Sequence, residues 1–205
     1  MRGQLADVLR VGTGWFSDVA GFAADAPSWL RSFAGFFTDA GVVLLYAVIA
    51  LCWWRARRLP ARSMAFALLG PIGVVAGYLA SSVIKLLVAA ERPCRALRTP
   101  TLIDCPPPGD WSFPSNHAAL AGAAAVCITL AWRTVAVPVV AFALAVAASR
   151  VFVGVHYPHD VVAGLLIGGV AAALTVFALV RPATWLTIRL RDHPRLRPLV
   201  TSGSR

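Results

Sequence analysis

A single lysine, Lys85, interrupts the apolar run from Gly70 to Ala90, and seven residues later the chain reads Arg92-Pro93. An ionisable side chain in such a run is costly enough that it is usually kept for function. Pro114-Ser115-Asn116-His117 follows, and then Ser149-Arg150, His156 and Asp160. Cations, two well-placed histidines and a carboxylate form an inventory for handling a phosphate.

Each residue type suits one part of that chemistry. A phosphate must be held by fixed donors before anything can attack it. Arg92 and Arg150 offer planar forks of donors to its oxygens, and Lys85 a point charge on a flexible stem. Ser115 adds a hydroxyl. Pro114 suits the start of a helix, whose first N–H groups, near Asn116, would face an anion. His156 and Asp160 are four residues apart, so on a helical turn the carboxylate can accept from one ring nitrogen and leave the other free to attack phosphorus. His117, titrating near neutral pH, can protonate the leaving oxygen. His159 has no such partner spacing and is expected to face water or a headgroup. Singly, each residue has a plainer reading: Lys85 snorkelling, Arg92 on a headgroup, Arg150 as a loop charge, the histidines as interfacial structure. The case rests on their combination.

The elements that must position these groups are membrane helices. Hydrophobic residues make up 59% of the chain and the mean hydropathy is +0.73, well above a soluble domain. The expected fold is all-α, a polytopic membrane helix bundle with five strong spans near 33–54, 63–90, 117–132, 135–155 and 161–180. Residues 1–31 carry Arg2, Asp7, Arg10, Asp18 and Asp25 among apolar side chains and read as an amphipathic interfacial segment, with no h-region of a cleaved signal peptide. An alternative reads residues 4–24 as a degenerate sixth span. The catalytic bundle is then 32–181 and a basic cytoplasmic tail 182–205.

Charge orients the bundle. Arg55, Arg57, Arg58 and Arg62 fall between the first two spans, Arg133 between the third and fourth, and Arg181, Arg189, Arg191, Arg195, Arg197 and Arg205 after the fifth. Short positive loops stay in the cytoplasm, so the net charge of +10 reads as topology and contact with anionic lipid, with no nucleic-acid partner. The candidate site falls on the opposite, extracytoplasmic face. Cys94 and Cys105 share that outward loop, where an oxidising compartment would let them pair, while Cys52 and Cys127 lie in apolar spans. A Cys94–Cys105 disulfide is expected, closing a loop worth about 3 kcal/mol in chain entropy; the alternative is two free thiols.

Lys85-x6-Arg92-Pro93, Pro114-Ser115-Asn116-His117 and Ser149-Arg150-x5-His156-x3-Asp160 together resemble the three-part signature of the type 2 phosphatidic acid phosphatase superfamily. The resemblance implies metal-independent dephosphorylation of lipid phosphates or diphosphates through a phosphohistidine, with no cofactor. It makes His156 the nucleophile, Asp160 its orienter and His117 the general acid. Lys85, Arg92, Ser115, Ser149 and Arg150 become phosphate ligands, and Asn116, standing where the family has Gly, is carried with them as a phosphate-side residue. Soluble vanadium haloperoxidases share the signature, but the apolar spans point to the membrane branch.

An outward-facing bacterial enzyme of this kind resembles an undecaprenyl or decaprenyl diphosphate phosphatase of carrier-lipid recycling in the cytoplasmic membrane. Phosphatidylglycerophosphate, phosphatidic acid and a prenyl-phosphoryl sugar phosphate are the alternative substrates. Two other classes stand beside it: a zinc hydrolase using His117, His156, His159 and Asp160, and a non-catalytic lipid-binding or transport protein.

Overall fold

The computed structural model describes residues 13–202. The described residues form eight α-segments: α1 (Thr13–Asp25), α2 (Ser28–Ala56), α3 (Ala61–Val88), α4 (Pro93–Ala96), α5 (Asn116–Ala131), α6 (Ala136–Phe152), α7 (Pro158–Asp192) and α8 (Arg197–Val200). Among the described residues α2, α3, α7, and α6 with its preceding 3-10 turn are long and apolar enough to cross a membrane. The molecule is therefore an all-α polytopic membrane bundle.

The third expected span differs from the others. At 16 residues, α5 is about 24 Å long, short of a hydrocarbon core of about 30 Å. Its sequence explains how it can be short. Ala118, Ala119, Ala121, Ala123 and Ala124 are fully buried, so α5 is an axle sheathed by α2, α3, α6 and α7 rather than a helix matched to lipid. Small residues let the sheath close on it, as membrane helix interfaces require in the absence of a hydrophobic drive. A methyl group at Gly168 of α7 would strike the backbone of Ala119, and one at Gly77 of α3 would meet Ala123 Cβ at 2.8 Å and the Gly168 carbonyl at 2.9 Å. Outward, large apolar residues such as Leu86, Leu87, Val137, Leu166 and Phe177 are exposed, the pattern of a lipid-facing surface.

Both ends of the described segment join this bundle. On α1, Phe16 and Ala20 are buried against Ala118, Ala147, Val151 and Tyr157, while Trp15 and Phe22 are exposed. Its 13 residues reach only about 20 Å; residues 1–12, part of the alternative sixth span, lie outside the described residues. α2 already begins at Ser28. At the other end α7 continues through Pro182 to Asp192, and α8 folds back onto the α2–α3 turn. There Trp53 Nε1 donates to the Leu199 carbonyl at 3.0 Å, Arg57 to that of Pro198 at 2.9 Å, and Arg191 to that of Leu59 at 2.7 Å.

Candidate active site

Two connections converge at one end of the bundle, residues 89–115 between α3 and α5 and residues 153–157 between α6 and α7. At the head of the longer one Ala89 takes a left-handed φ of 49° and ends α3. Cys94 and Cys105 are joined by a disulfide with Cα atoms 6.1 Å apart. Within the loop so tied, Arg95 bonds the Glu91 carboxylate and the Pro106 carbonyl. The chain then enters α5 through a cis Phe113-Pro114 peptide.

Arg92 is the hub. It is 3% exposed, and its guanidinium donates through Nε to the Asp110 carbonyl at 2.8 Å, through Nη2 to Asp110 Oδ1 at 2.9 Å and through Nη1 to the Val155 carbonyl at 3.1 Å. Nη1 also lies 3.0 Å from His156 Nε2. A guanidinium only donates, so this contact assigns the lone pair to Nε2 and the ring proton to Nδ1. That proton faces Asp160 Oδ2 at 3.4 Å. Burial first, and then the Arg92 charge, push the His156 imidazole down to about 3 against the opposing pull of Asp160. At neutral pH it is an uncharged ring with its lone pair turned toward Arg92.

Asp160 is fully buried and fixed from several sides. The Tyr157 N–H donates to Oδ2 at 2.9 Å, capping the start of α7, and the Ser112 hydroxyl donates to the same oxygen. Ser112 Oγ also lies 3.4 Å from His156 Nδ1. His159 departs from the expectation of a water-facing ring. It stacks on Tyr157 with centroids 5.2 Å apart, and its Nε2 lies 3.2 Å from Asp160 Oδ1, because the Pro158 start of α7 turns positions 157, 159 and 160 onto one another.

The remaining sequence-derived residues surround this pair. Lys85 Nζ donates to the Trp111 carbonyl at 2.7 Å and stands 3.5 Å from Asp110 Oδ1. Partial burial pushes the Asp110 carboxyl up, but Arg92, with Lys85 behind it, outweighs this and holds it below the usual carboxylate range. Arg150 is 4% exposed; its Nη1 donates to Thr38 Oγ1 at 2.8 Å and its buried Nε has no partner. Ser149 Oγ donates to the Val146 carbonyl at 2.7 Å and lies 3.1 Å from Thr38 Oγ1. His117 Nε2 faces Asp39 Oδ1 at 2.9 Å. Arg92 and Arg150 are electrostatic neighbours of both histidines.

Two residues sit differently from the rest. Ser115 caps α5, its Oγ accepting from the Ala118 N–H at 3.5 Å while its own N–H donates to the Asp160 carbonyl at 3.0 Å. Asn116 turns its amide away from the cations toward α3, accepting from Ser81 Oγ at 2.8 Å and reaching Ser82 Oγ at 3.4 Å. An Asn in place of Gly is accommodated there because α3 offers two serines as partners.

Sequence reasoning did not find Thr38, Asp39, Asp110 or Ser112. Asp110 and Ser112 carry no spacing signal, since the path of a loop decides their contacts. Asp39 carried one: it is the sole acidic residue of the apolar α2, the same anomaly that singles out Lys85.

A sequence profile described as the PAP2 superfamily matches residues 67–185, the stretch holding the whole signature. The chain is 33% identical over 167 residues to undecaprenyl-diphosphatase BcrC of Bacillus subtilis, covering 80% of this chain and 84% of that one. It is 36% identical over 127 residues to decaprenylphosphoryl-5-phosphoribose phosphatase of Mycolicibacterium smegmatis, covering 62% and 63%. In fold it resembles the crystal structure of a transmembrane PAP2 type phosphatidylglycerolphosphate phosphatase from Bacillus subtilis, with a TM-score of 0.61 and 19% identity over 81% of this chain and 85% of that one. A helical membrane bundle, an Arg–His–Asp contact built from the first and third motifs, and a profile match spanning all three lead to one conclusion: the chain belongs to the PAP2 superfamily.

Proposed function

We propose that this enzyme hydrolyses a lipid phosphate with His156 as nucleophile, and that its substrate is a polyprenyl diphosphate. The observation that carries the reading is the Arg92–His156–Asp160 relay, with Nε2 uncharged at neutral pH and directed into a ring of cations. In the first step the phosphate displaces the Asp110 carboxylate from Arg92 and Lys85 and draws Arg92 off Nε2. The Arg150 Nε, buried without a partner, is a further donor for its oxygens. The Nε2 lone pair then forms the N–P bond while the P–O bond to the leaving group breaks. His117 supplies the proton that the leaving oxygen needs, and Asp160 stabilises the resulting cationic ring. In the second step His117 takes a proton from water as it attacks phosphorus, the N–P bond breaks, and orthophosphate departs. One water is consumed. Ser115 and Ser149 support the bowl from its α5 and α6 walls, while Asn116 ties α5 to α3.

The similarity to a curated undecaprenyl-diphosphatase supports the polyprenyl choice. The arginine-rich α2–α3 and α5–α6 turns and the end of α7 lie at the end opposite the motif loops, which supports an active site facing away from the cytoplasm. The units follow: a catalytic bundle carrying all three motifs, an amphipathic start and a basic cytoplasmic end.

Purified protein with a C55 prenyl diphosphate is the test. Phosphate release is expected to persist in EDTA and to fall with vanadate. His156→Ala and His117→Ala are each expected to lose about 10²-fold or more, and quenched wild-type enzyme is expected to hold an acid-labile phosphate that His156→Ala does not. Release undiminished in His156→Ala would refute the nucleophile. Faster turnover of phosphatidylglycerophosphate or phosphatidic acid would move the substrate to those lipids.

A further inference from the structure

α2 carries no part of the family signature, yet it places two polar residues against the site. Thr38 is fully buried, accepts from Arg150 at 2.8 Å and touches Ser149 at 3.1 Å. The next residue, Asp39, puts its carboxylate 2.9 Å from His117 Nε2 and 4.0 Å from Arg150 Nη1. We propose that Asp39 is the positioning residue of His117, holding the imidazole at the mouth and stabilising the protonated ring that donates to the leaving oxygen. This inference rests on the reading of His117 as the general acid.

The charges around His117 explain why it needs such a partner. Burial first, and then Arg150 from α6 and Arg92 from the motif loop, oppose a positive charge on the ring; Asp39 from α2 is the anion that favours one. A neutral imidazole is a poor proton donor, so an acid placed between two guanidiniums requires a compensating carboxylate to be loaded before the leaving group departs. Asp39 fills that place from α2, beside the Thr38 that holds Arg150. During transfer the Nδ1–H bond breaks and an O–H bond forms on the leaving group, while Nε2–H stays on Asp39, which remains ionised. When water attacks the phosphohistidine, Nδ1 regains a proton and the same carboxylate stabilises the restored cation.

The Asp39 side chain is 72% exposed and the buried Arg150 keeps its bond to Thr38, so the fold is expected to survive replacement of Asp39. The test is leaving-group dependence in single turnovers. A long-chain alkyl phosphate leaves as a strongly basic alkoxide and needs an acid; p-nitrophenyl phosphate leaves as a stabilised phenolate and needs little. Asp39→Asn is expected to slow the alkyl substrate by about 10-fold or more and the aryl substrate by less than about 3-fold. His117→Ala is expected to show the same selectivity more strongly, and Asp39→Glu to restore part of the alkyl rate. Equal loss on both substrates, or no loss on the alkyl one, with His117→Ala still selective, overturns the role of Asp39 alone. A His117→Ala enzyme that slows both substrates equally overturns the general acid, and the Asp39 proposal with it.

Discussion

Under the proposed mechanism Asp110 holds the position that a substrate phosphate takes. Its carboxylate lies 2.9 Å from Arg92 and 3.5 Å from Lys85, and those two cations hold it below the ordinary carboxylate range, so at neutral pH it remains a charged competitor. Asp110→Asn is therefore expected to lower the inhibition constant for orthophosphate severalfold, read by product inhibition; an unchanged or raised constant would show that Asp110 orders the cations instead. His156 gives a pH prediction. Its folded value is about 3, set mainly by burial, while an unfolded histidine titrates near about 6.5. Below that value the unfolded chain binds a proton that the folded one refuses, so stability falls as pH drops from about 6.5 toward 3. Thermal unfolding in detergent is expected to show this slope, and His156→Asn to reduce it. The motif residues were legible because charge in an apolar run demands a reason. Asp110 and Ser112 were not, since only the folded loop brings them to Arg92 and Asp160, and the contacts of the Asn116 amide were not legible because the serines of α3 that hold it lie more than thirty residues away.

Among the elements, α5 decides how tightly the site is held. The motif residues Ser115 and His117 stand at its start and Asp160 at the start of α7, and the two helices meet through Gly164 and Gly168, where added methyl groups would run into the backbone of Ser115 and Ala119. Gly168→Val is expected to cost about 1–3 kcal/mol, seen as a lowered unfolding temperature, with activity falling further than the folded fraction because α7 carries Asp160. An unchanged unfolding temperature would mean that the helices separate freely. Composition made the helices legible: long apolar runs end at Pro60, Pro114 and Pro158. It did not show that α5 is an axle rather than a fifth full span. An Ala-rich stretch satisfies an apolar window whether it meets lipid or other helices, and only its 16-residue length and its lack of any exposed residue separate the two.

At the scale of the molecule, an apolar belt surrounds a bundle with the Arg55–Arg62 turn, Arg133 and the described arginines after Val180 at one end and the signature residues at the other. Intact spheroplasts are expected to release phosphate from an added short-chain prenyl diphosphate, and inside-out vesicles only after detergent; the reverse would invert the orientation. The truncated central helix has a consequence of its own. An element about 6 Å shorter than the surrounding hydrocarbon sets the catalytic bowl at a depth fixed by protein, while the height of the substrate's headgroup is fixed by lipid. Acyl-chain length in a reconstituted vesicle thus becomes a ruler laid against the enzyme, and turnover should peak at the thickness that brings phosphorus level with the imidazole.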